Sequence, residues 1–210
     1  RADAAYFPEG RGGNFITSTF YRQDLPEWVT KFNSRNLPAT YVSKPWTPLL
    51  PLEQYTESGP DDSPYERKLA GKDKMTFPYN FQEMIAKGSG ELFAYSPYAN
   101  DYVTEFAKAA LLGEQMGKDN VPDFLAISYS TPDIFGHAVG PRSVELEDMY
   151  LRLDRNLEDL LKTLDKEVGA GNYTLFLSAD HAVADVPQYL KDNKVPAGYF
   201  NEEYALAKLN

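Results

Sequence analysis

Phe124-Leu125-Ala126-Ile127-Ser128-Tyr129-Ser130-Thr131-Pro132-Asp133-Ile134-Phe135-Gly136-His137 passes from a short apolar run into a polar turn carrying an aspartate and a histidine four residues apart. Phe124 to Ile127, within Pro122 to Tyr129, has the texture of a strand covered on both faces. Downstream, Ser143 is placed to cap a long helix reaching about Val168. Met149, Leu153, Leu157, Leu160, Leu161 and Leu164 recur in it at helical spacing, and Gly169 and Gly171 end it. Tyr173 to Leu177 is a second apolar run, followed by Ser178-Ala179-Asp180-His181. Strand, long helix, strand predicts a βαβ crossover, hence two parallel strands of a larger sheet.

In open α/β sheets, ligands gather outside the carboxyl ends of the strands. Both Asp–His sets fall there, and His137 and His181 are the only histidines in the chain. Imidazole nitrogen with carboxylate oxygen suits zinc and similar dications. Two such sets suggest a two-metal centre, a common apparatus for phosphoryl transfer to water. If Pro132 opens a helical turn, Asp133 and His137 share one face and can grip one ion. Gly136 leaves room beside it. Asp180 and His181 are neighbours; in a loop they can converge on one ion or serve two. The plainer alternatives are that Asp133 is a helix cap and Asp180–His181 an ordinary loop pair.

Other chemistry is less well supported. Ser130, Thr131 and Ser178 could be nucleophiles, but a catalytic triad would have to take its histidine from the metal set. No Gly-rich Lys-Ser/Thr phosphate loop or dinucleotide fingerprint occurs. Asn172-Tyr173-Thr174 matches a glycosylation acceptor but opens a predicted core strand. Glu145, Glu147, Asp148, Glu158 and Asp159 read as the solvated face of the long helix.

The first half is more irregular. Ala4 to Phe7 and Asn14 to Thr19 predict a hairpin around Glu9-Gly10-Arg11-Gly12-Gly13. Asp24-Leu25-Pro26-Glu27 predicts a helix start with Asp24 as its cap, turning Trp28, Val29 and Phe32 inward and fading near Asn36. From Leu37 to Lys74 the prolines forbid long regular elements, which suggests a cap or insertion over a scaffold. Asn100 is placed to cap a helix from Asp101 to about Met116, with Val103, Phe106, Ala107, Ala110 and Leu111 inward. We divide the chain at 1–98 (hairpin, helix and Pro-rich cap) and 99–210 (the α/β segment bearing the metal ligands), both parts of one incomplete catalytic domain.

Composition narrows the function. The 210 residues carry a net charge of −10, the wrong sign for clustered contacts to a nucleic-acid polymer. A small phosphate ester remains possible, because bound dications reverse the local field. No cysteine means no disulfide, Cys-ligated zinc or Cys nucleophile. No apolar run is long enough to span a membrane. Fifteen tyrosines and 14% aromatic residues read mainly as packing, with a metal-free, aromatic-rich binding module as the outlying alternative.

Pro132-Asp133-x-x-Gly136-His137-x-x-Gly140-Pro141, a long helix, then Ala179-Asp180-His181 resembles the alkaline phosphatase superfamily, in its type I phosphodiesterase/nucleotide pyrophosphatase branch. Ser-Thr-Pro-Asp, Asp-His-Ala-Val-x-x-Val-Pro-Gln-Tyr-Leu and the hairpin text resemble the phosphate-irrepressible alkaline phosphatases of bacteria. The resemblance implies an alkaline-phosphatase-like parallel sheet with flanking helices, and a periplasmic or secreted enzyme of small phosphate esters. It implies that Asp133 and His137 bind one zinc and Asp180 and His181 a second. The expected chemistry is monoester hydrolysis through a covalent phospho-threonine or phospho-serine; nucleotide pyrophosphatase or phosphodiesterase activity is the alternative. The family's nucleophile, remaining metal ligands and Lys/Arg pair have no match here, and Ala182 stands where the diesterases commonly have glycine. The chain is therefore expected to be a central fragment of a longer enzyme. Its nucleophile would lie outside these residues, its partner would be the remaining polypeptide, and alone it would hold zinc weakly or not at all and show no turnover.

Overall fold

The computed structural model describes all residues except 1, 11, 70, 71, 87–91, 201 and 210. Arg11 of the predicted turn lies outside the described residues. The N-terminal hairpin forms with short strands: β1 (Phe7–Pro8) pairs antiparallel with β2 (Phe15–Ile16), Phe7 opposite Ile16. Glu9 N–H donates to Asn14 O and Gly13 N–H to Glu9 O, closing the turn.

Helix α1 (Glu27–Asn33) begins at Pro26, so Asp24 is not its cap. Pro26 fixes an extended backbone just before the helix, and its carbonyl accepts the first helical N–H groups. Val29 and Phe32 are buried and Trp28 half-buried, as the spacing predicts. α2 (Leu37–Val42) follows, with Pro38 in its first turn, and α3 (Phe81–Ala86) comes after a largely irregular stretch.

That Pro-rich stretch is no loose excursion. It plants Trp46, Tyr55, Leu69 and Met75 in the interior, and Trp46 bridges in antiparallel fashion to Tyr79. Trp46, Tyr79 and Phe81 share one cluster with Phe135, Leu146 and Met149. A second cluster joins the hairpin and α1 to the next helix through Phe15, Phe32, Phe93, Tyr102 and Phe106. Phe15 and Phe106 stack with centroids 3.6 Å apart. For these rings, packing is the observed role.

α4 (Tyr98–Gly113) starts before Asn100, which is not its cap but a fully buried residue of its first turn. α5 (Thr131–Val139) opens with Pro132 in its first turn, which meets the condition for Asp133 and His137 to share a face. α6 (Val144–Leu164) is capped by Ser143, whose hydroxyl accepts from Leu146 N–H at 3.2 Å. It runs into a π turn at Asp165–Gly169, and Gly169 and Gly171 take positive φ. α7 (Pro187–Asp192) and α8 (Glu202–Leu209) complete the order.

Two expectations are corrected. Glu145 and Asp148 do not belong to a solvated helix face: both are fully buried, whereas Glu158 and Asp159 are exposed. The Pro-rich segment folds over the first half of α6 and supplies polar partners. Asp148 accepts from Trp46 Nε1 (2.6 Å), Leu49 N–H (2.6 Å), Tyr55 O–H (2.5 Å) and Arg152 Nε (2.6 Å). Glu145 accepts from Tyr79 O–H at 2.6 Å.

The parallel pair is the other correction. Residues 122–129 and 173–177 run without helix on either side of α6, but among the described residues neither joins a sheet, and β1–β2 is the only ladder. A strand is held by hydrogen bonds to neighbours, which the helix between these two does not supply. Phe124, Phe176 and Leu177 consequently lie largely exposed. α6 packs instead on α4 and α5. Asn172 likewise lies in an exposed turn, not at the start of a core strand.

Candidate metal centre

α5 presents the first Asp–His set because its other face is anchored. Thr131, Pro132, Phe135, Ala138 and Val139 are buried, and the Phe135 ring meets Trp46 edge-on at 5.4 Å. Asp133 and His137 therefore point outward together, with Asp133 Oδ1 3.5 Å from His137 Nε2. Asp133 makes no side-chain cap bond; the N-cap residue is Ser130, whose Oγ pairs with Ser128 Oγ at 3.0 Å.

The second set arrives on the extended segment after residue 177. His181 Nε2 lies 3.7 Å from Asp133 Oδ1 and 3.7 Å from Asp180 Oδ2. The structure thus gathers three of the four predicted residues at one carboxylate and leaves Asp180 at their edge. Two ligands of one tetrahedral zinc stand about 3.3 Å apart, given metal–ligand distances near 2.0–2.1 Å. The observed spacings are close to that.

His181 is the better oriented imidazole. Its Nδ1 lies 3.0 Å from Ala182 O, and since a carbonyl can only accept, Nδ1 carries the proton and the neutral ring keeps its lone pair on Nε2. That hydrogen bond first, then the carboxylates of Asp180 and Asp133, raises the His181 pKa above its ordinary value. All four side chains are open to solvent, from 51% for Asp133 to 91% for Asp180.

Chemically these donors fit zinc: two imidazoles and two carboxylates, with an acceptor behind His181. Among the described residues, however, no group of three or more His, Asp or Glu side chains is arranged to hold an ion.

Around these side chains lie residues that the two motifs do not include. Arg142 Nε and Nη2 donate to Asp185 Oδ1 and Oδ2 at 2.7 and 3.1 Å, and the guanidinium lies 4.5 Å over the Tyr189 ring. From the Pro-rich segment, Gly59 N–H donates to Arg142 O, Arg67 N–H to Ala138 O, and Tyr65 O–H to Asp192. The only available signal was the position of Arg142 and Asp185 just beyond the two motifs.

Residues 3–207 match the family described as type I phosphodiesterase / nucleotide pyrophosphatase. The chain belongs to that family. Among its relatives, alkaline phosphatase PhoV of Synechococcus elongatus is 47% identical over 197 residues, which are 94% of this chain and 36% of that protein. Alkaline phosphatase PafA of Elizabethkingia meningoseptica is 43% identical over 199 residues, 95% of this chain and 36% of PafA. A Myroides odoratus protein named calcium-transporting ATPase is 42% identical over 211 residues, 100% of this chain and 38% of that protein. A crystal structure of wild-type PafA superposes with a TM-score of 0.89 at 42% identity, covering 97% of this chain and 39% of that one. The fold is alkaline-phosphatase-like, and the chain spans little more than a third of the length of these relatives.

Proposed function

We propose that the protein containing these residues is a zinc-dependent phosphatase that hydrolyses small phosphate monoesters. The observation that supports this most is the meeting of both Asp–His sets at Asp133, in a chain so similar to two alkaline phosphatases. Asp133 and His137 would hold one zinc, and Asp180 and His181 the other. When bound, two such ions supply electrophilic stabilisation of the attacking and leaving oxygens. The two aspartates offset the charge of the dications, and the Ala182 carbonyl keeps the His181 proton on Nδ1. None of the four serves as a general base.

Turnover is proposed to pass through a covalent phosphate ester on a serine or threonine, a role we assign to no residue of this chain. Thr131 is buried in α5, and no imidazole is left to activate Ser130 or Ser178. With two ligands per ion, these 210 residues alone are expected to give no turnover. The exposed Phe124, Phe176 and Leu177 are proposed to be covered by the remaining polypeptide. The negative charge disfavours a nucleic-acid polymer as substrate. A periplasmic or secreted location is proposed from the alkaline phosphatase relatives; among the described residues no helix is long and apolar enough to cross a membrane. Cleavage of phosphodiesters or nucleotide anhydrides is the second reading, favoured by the family's description and by the name of the Myroides relative.

The test uses the intact protein. His181→Ala should lower its zinc content and cut p-nitrophenyl phosphate hydrolysis by roughly 10²–10³-fold, the loss of several kcal/mol of transition-state stabilisation. Faster turnover of the bis-ester than the monoester would move the reading to the diesterase. An intact protein that binds no zinc and is indifferent to His181→Ala would return it to a metal-free binding module.

A further inference from the structure

The two Asp–His sets must be held at a fixed separation if they are to act as one centre, and among the described residues only the first is anchored by a core. Residues 174–186 carry the second set with no sheet partner among the described residues. Among the described residues the hydrogen bonds of His181 are local, to Asp180 and Ala182, and its one longer-range approach is to Asp133 at 3.7 Å. Among the described residues, the side-chain hydrogen bonds that tie 174–186 to the rest of the molecule are those from Arg142 to Asp185.

Arg142 is well placed for this. It lies three residues beyond the end of α5 and directly before the cap of α6, so its backbone is fixed from both sides. Gly59 N–H donates to its carbonyl at 2.7 Å. Its planar fork meets Asp185 through two parallel bonds, a geometry a lysine cannot reproduce. Tyr189 lies under the guanidinium, and Tyr65 closes on Tyr189 edge-on at 5.4 Å. Beside the pair, Val186 fills the space a side chain at Gly140 would need: a Cβ there would come within 2.6 Å of Val186 Cγ2. Gly140 also has a φ of +79°, so the close approach of the two backbones depends on glycine.

We infer that Arg142 and Asp185 are positioning residues of the centre: their bidentate pair straps the segment bearing Asp180 and His181 to the end of the helix bearing Asp133 and His137, and so sets the spacing of the two Asp–His sets. This rests on the zinc reading above. The hydrogen bonds within the pair reach none of Asp133, His137, Asp180 and His181, so its proposed role is positioning. Because Arg142 is 55% exposed, its contribution to global stability is small, and its effect should appear at the site instead.

The experiment is made on the intact protein with Arg142→Ala, Arg142→Lys, Asp185→Asn and the swapped double variant Arg142→Asp/Asp185→Arg. Zn²⁺ affinity is measured by competition with a chromophoric chelator, and amide hydrogen exchange is followed over 174–186. The single variants should weaken the zinc assigned to Asp180 and His181 about 10- to 100-fold, the usual effect of losing a residue that supports a metal ligand. They should speed exchange over 174–186 while leaving 131–139 unchanged, and their Tm should stay close to that of the unsubstituted protein. The swap should recover part of both effects, and Arg142→Lys should not. Unchanged exchange and zinc affinity in Arg142→Ala and Asp185→Asn would overturn the strap. If the unsubstituted protein bound no zinc, the zinc reading would fail instead. The strap would then fail as a device of the metal centre, and faster exchange would show only a tether.

Discussion

Asp133 and His137 ride on a helix whose inner face is buried in an aromatic core, whereas Asp180 and His181 lie on an extended segment with its large apolar side chains exposed. The first set is placed by packing, which sums many weak contacts and leaves little freedom. Among the described residues, the contacts that bring the second toward it are one charged pair, one glycine contact and its approach to Asp133. Two halves of one candidate centre therefore differ in what can dislodge them. Changes in the core should disturb the first, and changes at a few polar groups should disturb the second.

Removing the Asp148 carboxylate is the severest test of that difference. It holds the Trp46 indole, which packs on Phe135, which in turn fixes α5. It also offsets Arg152, so Asp148→Ala leaves a cation and three further donors without their acceptor. A loss of about 3–5 kcal/mol is expected, as when one partner of a buried ion pair is removed. Denaturant unfolding of the intact protein measures it, and hydrogen exchange should show α5 loosened more than 174–186. A loss below about 1 kcal/mol, at the level of an exposed pair, would break the link between Asp148 and the first set.

A pH-dependent effect should act on the same scaffold. Both carboxylate oxygens of Glu66 are buried without a hydrogen-bond partner. Burial first, then the charges of Glu145, Asp61 and Asp62, lifts its pKa from 4.5 to about 9. Burial likewise pushes Glu145 up to about 7, against the stabilising bond from Tyr79. The folded chain thus holds protons that the unfolded chain has already released. The stability this represents is complete below about pH 4.5 and declines as pH rises, through about 7 for Glu145 and about 9 for Glu66. Glu66→Gln keeps the shape without the charge. Its Tm should match that of the unsubstituted protein near pH 5 and exceed it progressively toward pH 9. A constant difference across that range would show that Glu66 is ionised in the folded state.

How much of this was legible depended on how local the cause was. The Ser143 cap, the end of the long helix at Gly169, and the shared face of Asp133 and His137 each follow from residues within a turn or two. The burial of Glu145 and Asp148 does not, because their partners Tyr79, Tyr55 and Trp46 lie 66, 93 and 102 residues away. A charge on a helix reads as solvated until a distant hydroxyl or indole is known to meet it. The runs at 124–127 and 173–177 are apolar enough to be recognised as buried strands, yet pattern alone cannot supply the neighbour that makes a strand. The ligand types were legible, but the Ala182 carbonyl behind His181 and the Arg142–Asp185 pair depend on a loop path that no local rule gives.

The smallest effect separates local order from the strap at their point of contact. Ser143 directly follows Arg142 and caps α6 through its hydroxyl. Ser143→Ala should cost about 1 kcal/mol, and Ser143→Gly only a few tenths, because glycine is itself a tolerated cap. Neither variant removes a group that reaches Asp185, so exchange over 174–186 should keep its original rate even where α6 frays. If Ser143→Ala released that segment as fully as Arg142→Ala, the strap would depend on the start of α6, and the second set would prove to be held by packing, as the first is.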